Sequence, residues 1–171
     1  MTLVTISIII ATIIFVVYNI PTLIAFDVPK SLSMTYYHWK EHDSKLRFAF
    51  PIMMYAVVAF MMPAWITMSE GSSWQFLSFL APTSILFVGT APAFMSSSLE
   101  NMVHQVSACL AAALSVLWIL LVTPYWWVIL IWLALVALAS IFTSSYKTAY
   151  IYWLELAAFG STFTSTIMYS I

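Results

Sequence analysis

LVTISIIIATIIFVVYNIPTLIA, residues 3–25, contains no charged side chain. At a rise of 1.5 Å per residue, about 20 apolar residues cross the roughly 30 Å hydrocarbon core of a bilayer. Residues 3–25 therefore read as a membrane-spanning helix. They lack the basic n-region of a secretory signal, their apolar run is too long for one, and no small-residue cleavage site follows. The expectation is a retained helix.

Five further windows repeat the pattern, at about 48–68, 74–94, 102–122, 125–143 and 148–169. Their apolar residues run on without the period-two alternation of barrel strands. The whole chain agrees: 64% of its 171 residues are hydrophobic and only 6% charged, with a mean hydropathy of +1.03. A soluble chain of this length could not hide so much apolar surface in one core, whereas in a bilayer lipid is the solvent. The fold class expected is all-α: a polytopic integral membrane protein forming one compact bundle of six transmembrane helices over residues 1–171.

The breaks between windows are short and polar. Ser69-Glu70-Gly71-Ser72-Ser73, Thr123-Pro124-Tyr125 and Ser144-Ser145-Tyr146-Lys147 leave room only for antiparallel neighbours. Ser97 with Glu100 three residues on has the form of a capping box, which starts the fourth helix near Ser98. Pro21, Pro51, Pro63, Pro82 and Pro92 lie where they would kink or end helices.

The long break is different. TYYHWKEHDSKLRF, residues 35–48, holds five of the eleven Asp, Glu, Lys and Arg residues and two of the three histidines. Lys30, Lys40, Lys45 and Arg47 lie in or beside it, and Lys147, the only other basic residue, falls in the fifth break. With six spans these breaks share one side, so the positive-inside rule makes residues 27–47, 95–101 and 144–147 cytoplasmic, with both termini outside. The location expected is a bacterial inner or plasma membrane. Trp74, Tyr125, Trp126 and Trp127 form an aromatic belt at the outer interface, and Tyr36, Tyr37 and Trp39 one at the inner.

Glu155 sits within the sixth window, about 10–12 Å from its cytoplasmic end. A carboxylate there is costly against lipid, so it should face the bundle interior, as a ligand anchor, a proton carrier, a catalytic acid or a protonated structural group. Ala158, Thr162, Ser165 or Thr166, and Tyr169 continue its face. Glu100 and His104 lie one turn apart on the fourth helix, and Ser107 or Ala108, Ala111 and Ser115 continue that face with residues suited to close packing. The expected polar cavity, on the cytoplasmic half, draws on Glu155, His104, Glu100, Thr162 and Ser107. The competing reading of His104 is a histidine hydrogen-bonded to Glu100 and loop backbone.

His38 and His42 have the i, i+4 spacing by which one helical face offers two imidazoles to a metal. With His104, and with Glu41, Asp43 and Glu100 nearby, they form a metal-site alternative to a solvated or interfacial helix. No cofactor is otherwise expected. A net charge of −1 and three glycines give no basic field for nucleic acid and no phosphate loop for a nucleotide. The single cysteine, Cys109, excludes an intrachain disulfide. Selectivity-filter and voltage-sensor patterns are absent as well.

P-K-S-L-S at 29–33, G-T-A-P-A-F at 89–94 and V-H-Q-V-S-A at 103–108 stand in order after the first span, at the end of the third and at the start of the fourth. In these patches the chain resembles small six-helix membrane proteins of the DRAM/Frag/Sfk type and related uncharacterised bacterial proteins, which often carry His and Ala as His104 and Ala108 stand here. The resemblance implies six helices and a link to membrane lipid organisation and stress responses, and it supplies no activity. The function expected is binding of a lipid, another apolar ligand or partner helices, with membrane lipids, a homo-oligomer or partner membrane subunits as partners. The alternatives are a membrane-embedded metal-dependent lipid hydrolase and a proton- or ion-conducting oligomer using Glu155.

Overall fold

A computed structural model describes residues 2–43 and 45–171. Among them the chain is all-helical. Helix α1 spans Leu3–Phe26, α2 Thr35–His42, α3 Ala49–Met68, α4 Leu77–Thr90, α5 Ser98–Val122, α6 Trp127–Phe142 and α7 Tyr150–Ser170, with a 3-10 turn at Leu46–Phe48 leading into α3.

Three segments are long and apolar enough to cross a membrane: Leu3–Phe26, Leu46–Met68 and Ser98–Val122. The windows at 74–94 and 125–143 become shorter apolar helices, Leu77–Thr90 and Trp127–Phe142. Local backbone chemistry trims them. Pro92 disfavours helical geometry at Ala91, whose φ of −112° and ψ of 53° end α4. Pro124 delays α6, and Ser144, at φ 55°, turns the chain beyond it. The last window becomes α7, which is long enough, but Glu155 and a run of Ser and Thr residues lower its hydropathy. The hydroxyls of that run bury against neighbouring helices, so the sequence average misstates what the outside of α7 presents.

Helix ends follow their capping chemistry. The Thr2 hydroxyl accepts the Thr5 N–H at 3.1 Å, and the Ser97 hydroxyl accepts the Glu100 N–H at 3.2 Å, satisfying N–H groups that have no partner within the first turn. Pro51 stands in the first turn of α3, where a missing N–H costs nothing. Pro21, Pro63 and Pro82 lie inside helices.

Five helices close a ring: α1 packs on α3, α3 on α4, α4 on α5, α5 on α7, and α7 back on α1. α6 packs chiefly on the far side of α7. There Gly160 permits a close approach, since a Cβ at this position would stand 2.5 Å from the Trp132 indole. The same indole donates from Nε1 to Thr164 Oγ1 at 3.0 Å. Outer faces are apolar, with Val17, Ile20, Leu110, Leu120, Leu130 and Leu138 all exposed.

Successive long helices alternate in direction. At one end of the bundle the Thr5 hydroxyl donates to the Ser170 carbonyl at 3.1 Å and the Tyr125 hydroxyl to the Met168 carbonyl at 3.3 Å. The other end carries α2, the α4–α5 link and the α6–α7 link. All five basic residues lie at that second end, which we term the basic end.

Candidate functional site

The segment between α1 and α2, together with the first turn of α2, does not lie in solvent as a loop at 27–47 would. Ser31, Leu32, Ser33, Thr35 and Tyr36 are all buried, with Leu32 1% and Thr35 0% exposed. Short turns make this burial tolerable: the N–H groups of Met34, Thr35 and Tyr36 donate to the carbonyls of Ser31, Leu32 and Ser33. The hydroxyls of Ser31 and Ser33 pair at 3.0 Å. The Thr35 hydroxyl donates to the Leu32 carbonyl and also pairs with the Tyr18 hydroxyl. A buried turn of this kind survives only because its polar groups find partners within it or on the helices around it.

One of those partners is Glu155. Its Oε2 accepts the Leu32 backbone N–H at 2.7 Å, and the Tyr152 N–H donates to the Lys30 carbonyl at 3.2 Å. The first turns of α7 thus hold the buried segment from two sides. The Tyr152 hydroxyl is buried with no hydrogen-bond partner among the described residues. Elsewhere the Tyr37 hydroxyl accepts the Met95 N–H at 2.8 Å, and the Trp39 indole donates to the Thr22 hydroxyl at 3.2 Å. Burial pushes the Tyr37 phenol above its ordinary value, against the opposing pull of the Met95 N–H.

Behind the buried segment lies a cavity of about 70 Å³ between α3, α4, α5 and α7. Leu32, Ser33 and Glu155 stand at its basic end. Its walls are Met54, Val57 and Met61 of α3, Ile85 and Val88 of α4, Ala108, Ala111 and Ala112 of α5, and Ala158, Phe159 and Thr162 of α7. Trp65 lines its far end and stacks on Trp118 with ring centroids 4.2 Å apart and planes 3° from parallel. Both indoles are anchored, Trp65 Nε1 donating to Thr166 Oγ1 at 3.1 Å and Trp118 Nε1 to Ser69 Oγ at 2.8 Å. The cavity is only partly enclosed, and Ala112, one of its lining residues, is itself exposed on α5.

Of the polar-cavity set, Glu155 and Thr162 share this cavity, and His104, Glu100 and Ser107 do not line it. His104 is buried and its Nδ1–H donates to the Ala91 carbonyl at 3.0 Å, which fixes the tautomer. Its ring stacks on Phe94 at 4.6 Å. It thereby caps the end of α4, joining the fragments at 89–94 and 103–108. Glu100 accepts from the Ser96 hydroxyl at 2.6 Å, and Ser107 is buried on α5. Residues 111 and 115 of that face do reach the cavity, and Ser115 is a lining residue that the polar-cavity set omitted.

The metal candidates each have other packing partners. His38 and His42 of α2 pack on Phe26, with ring centroids at 5.4 Å and 6.0 Å. His104 is engaged at the α4–α5 link. Among the described residues, no three His, Cys, Asp or Glu side chains gather in a metal-binding arrangement. The signal for Leu32 as the partner of Glu155 was weak in sequence, because a backbone donor leaves no side-chain signature. No family model, curated protein or solved structure matches the chain.

Proposed function

We propose that this chain is a six-span integral membrane protein, with α1, α3, α4, α5, α6 and α7 crossing the bilayer, and that it binds an apolar ligand or lipid chain in the cavity behind the buried segment. The observation that carries this reading is a partly open apolar cavity inside a helical ring, bounded by one carboxylate at the basic end. The apolar outer faces of α1, α5 and α6 support insertion, since such surface on a soluble monomer would aggregate. Gathering Lys30, Lys40, Lys45, Arg47 and Lys147 at one end supports a cytoplasmic basic end, with both termini outside, in an inner or plasma membrane. The shorter α4 and α6 are accommodated by local thinning and by their interfacial aromatic residues, including Trp74 and Trp127.

Native mass spectrometry in mild detergent tests the reading. The expected result is a bound lipid or apolar adduct, reduced at least tenfold in Ala111→Phe, whose ring would occupy the cavity. A clean apo mass across several detergents, unchanged by the substitution, would remove the ligand reading. Stoichiometric metal lost in a His38→Ala/His42→Ala double variant would move the assignment to a metal-dependent hydrolase.

A further inference from the structure

We propose that the cavity selects a single-chain amphiphile with a positively charged, hydrogen-bond-donating head group, such as a long-chain primary amine, and that Glu155 is the anchor for that head. The proposal rests on the reading of the cavity as a ligand site and goes on to name the ligand's chemistry.

Charge is the first argument. Glu155 is the only ionisable residue lining the cavity, and no Lys, Arg or His lines it among the described residues. A carboxylate in apolar surroundings without a neighbouring cation favours a cation and disfavours a phosphate or carboxylate head. The carboxylate has capacity for such a head. The Leu32 N–H occupies Oε2, and an ionised carboxylate offers about four lone-pair sites over its two oxygens. An ammonium brings three donors to that surface, and charge-assisted contacts of this kind are the stronger class of hydrogen bond.

Polarity along the cavity is the second argument. The carboxylate stands beside Leu32 and Ser33, whereas the walls beyond it are mostly Met, Val, Ala and Phe side chains up to Trp65. A head at one end and a chain running away from it match that gradient.

Volume sets the number of chains. At about 70 Å³ the space takes a small head and the first part of one chain. A single chain is the better match, and its remainder extends through the open side of the cavity, which is only partly enclosed.

The test uses the full chain in phosphatidylcholine nanodiscs at pH 7.5, with empty discs subtracted. Tritiated dodecylamine is titrated, then displaced by dodecanol or dodecanoate. The expected order is amine at least tenfold tighter than dodecanol, with dodecanoate weakest. Glu155→Gln, which keeps an oxygen for the Leu32 N–H, should reduce the amine to the level of dodecanol, and Glu155→Asp should retain the amine preference. Dodecanoate binding as tightly as the amine, or an amine preference that survives Glu155→Gln, overturns the proposal. Saturable dodecanol binding that Ala111→Phe abolishes, without an amine preference, overturns the head-group assignment and leaves the cavity reading intact. Absence of saturable binding by any of the three chains overturns both.

Discussion

Glu155 Oε2 accepts the backbone N–H of Leu32 at 2.7 Å, tying two residues 123 positions apart in the sequence. The contact fixes a buried, non-helical turn against the start of α7 and sets one wall of the cavity. Its worth lies mainly in what its loss would leave behind. A buried N–H without an acceptor costs about 1–3 kcal/mol.

Glu155→Ala is therefore expected to destabilise the protein by about 1–3 kcal/mol, measured by thermal or denaturant unfolding in detergent. Glu155→Gln should lose less than half of that, because its amide oxygen still accepts. Hydrogen exchange gives the local readout: the Leu32 amide should exchange at least tenfold faster in the Ala variant and stay protected in the Gln variant. Equal protection in both would show that the contact does not hold the turn.

Gly160 and Trp132 set the fit of α6 on α7. A Cβ at position 160 would stand 2.5 Å from the indole, so Gly160→Ala forces α6 outward and breaks the Trp132–Thr164 hydrogen bond. Overpacking of this kind costs about 1–3 kcal/mol. The accompanying sign is a faster proteolytic cut in the α6–α7 link, with Trp132→Ala in the Gly160→Ala background relieving part of the loss. A Gly160→Ala protein as stable as the parent would contradict the packing.

The Trp65–Trp118 stack closes the cavity at its far end. Trp118→Ala removes a fully buried indole and leaves Ser69 without its donor, a loss of about 3–5 kcal/mol. Trp118→Phe should cost less while still leaving the Ser69 hydroxyl without the indole donor. Near-ultraviolet circular dichroism should report loss of the stacked-indole signal in both variants. An unchanged spectrum would exclude the stack.

Tyr37 predicts a pH dependence at the basic end. Its phenol is held above the ordinary value near 10. A group with a raised folded-state pKa contributes stability that is fully present below its unfolded value and is lost as pH rises through the folded one. The packing around Tyr37 should therefore be unaffected through neutral pH and loosen only above about pH 10, because the cost of burying the phenolate outweighs the stronger hydrogen bond it would accept from Met95. Local opening then accelerates Met95 amide exchange beyond its intrinsic base dependence. Tyr37→Phe should remove that extra acceleration, because it lacks the hydroxyl at every pH. The same pH profile in both proteins would detach the effect from Tyr37.

Much of the helical layout was legible from the residues. Runs without charge mark long helices whatever their neighbours, and the Ser97–Glu100 spacing located the start of α5. α4 and α6 came out shorter than their hydropathy windows because hydropathy does not register the backbone restriction at Ala91 or the reversal at Ser144. Glu155 stands out in the sequence because an ionisable group among apolar residues is costly, and that cost is visible without a structure.

What filled the cavity wall was decided by tertiary structure. The composition of residues 27–47 reads as a solvated stretch, yet Ser31, Leu32, Ser33, Thr35 and Tyr36 within it are buried. Its hydroxyls and N–H groups find acceptors on α1, on α7 and within its own turn, and no linear pattern records partners so distant. His104 stays out of the cavity lining for the same reason, since its ring nitrogen is bonded to the Ala91 carbonyl. By itself the sequence determined where helices form, because apolar burial and capping act over a few neighbouring residues. Only the folded chain decided which polar groups meet, because a backbone donor such as that of Leu32 is present at nearly every position and becomes specific only when packing leaves it one acceptor.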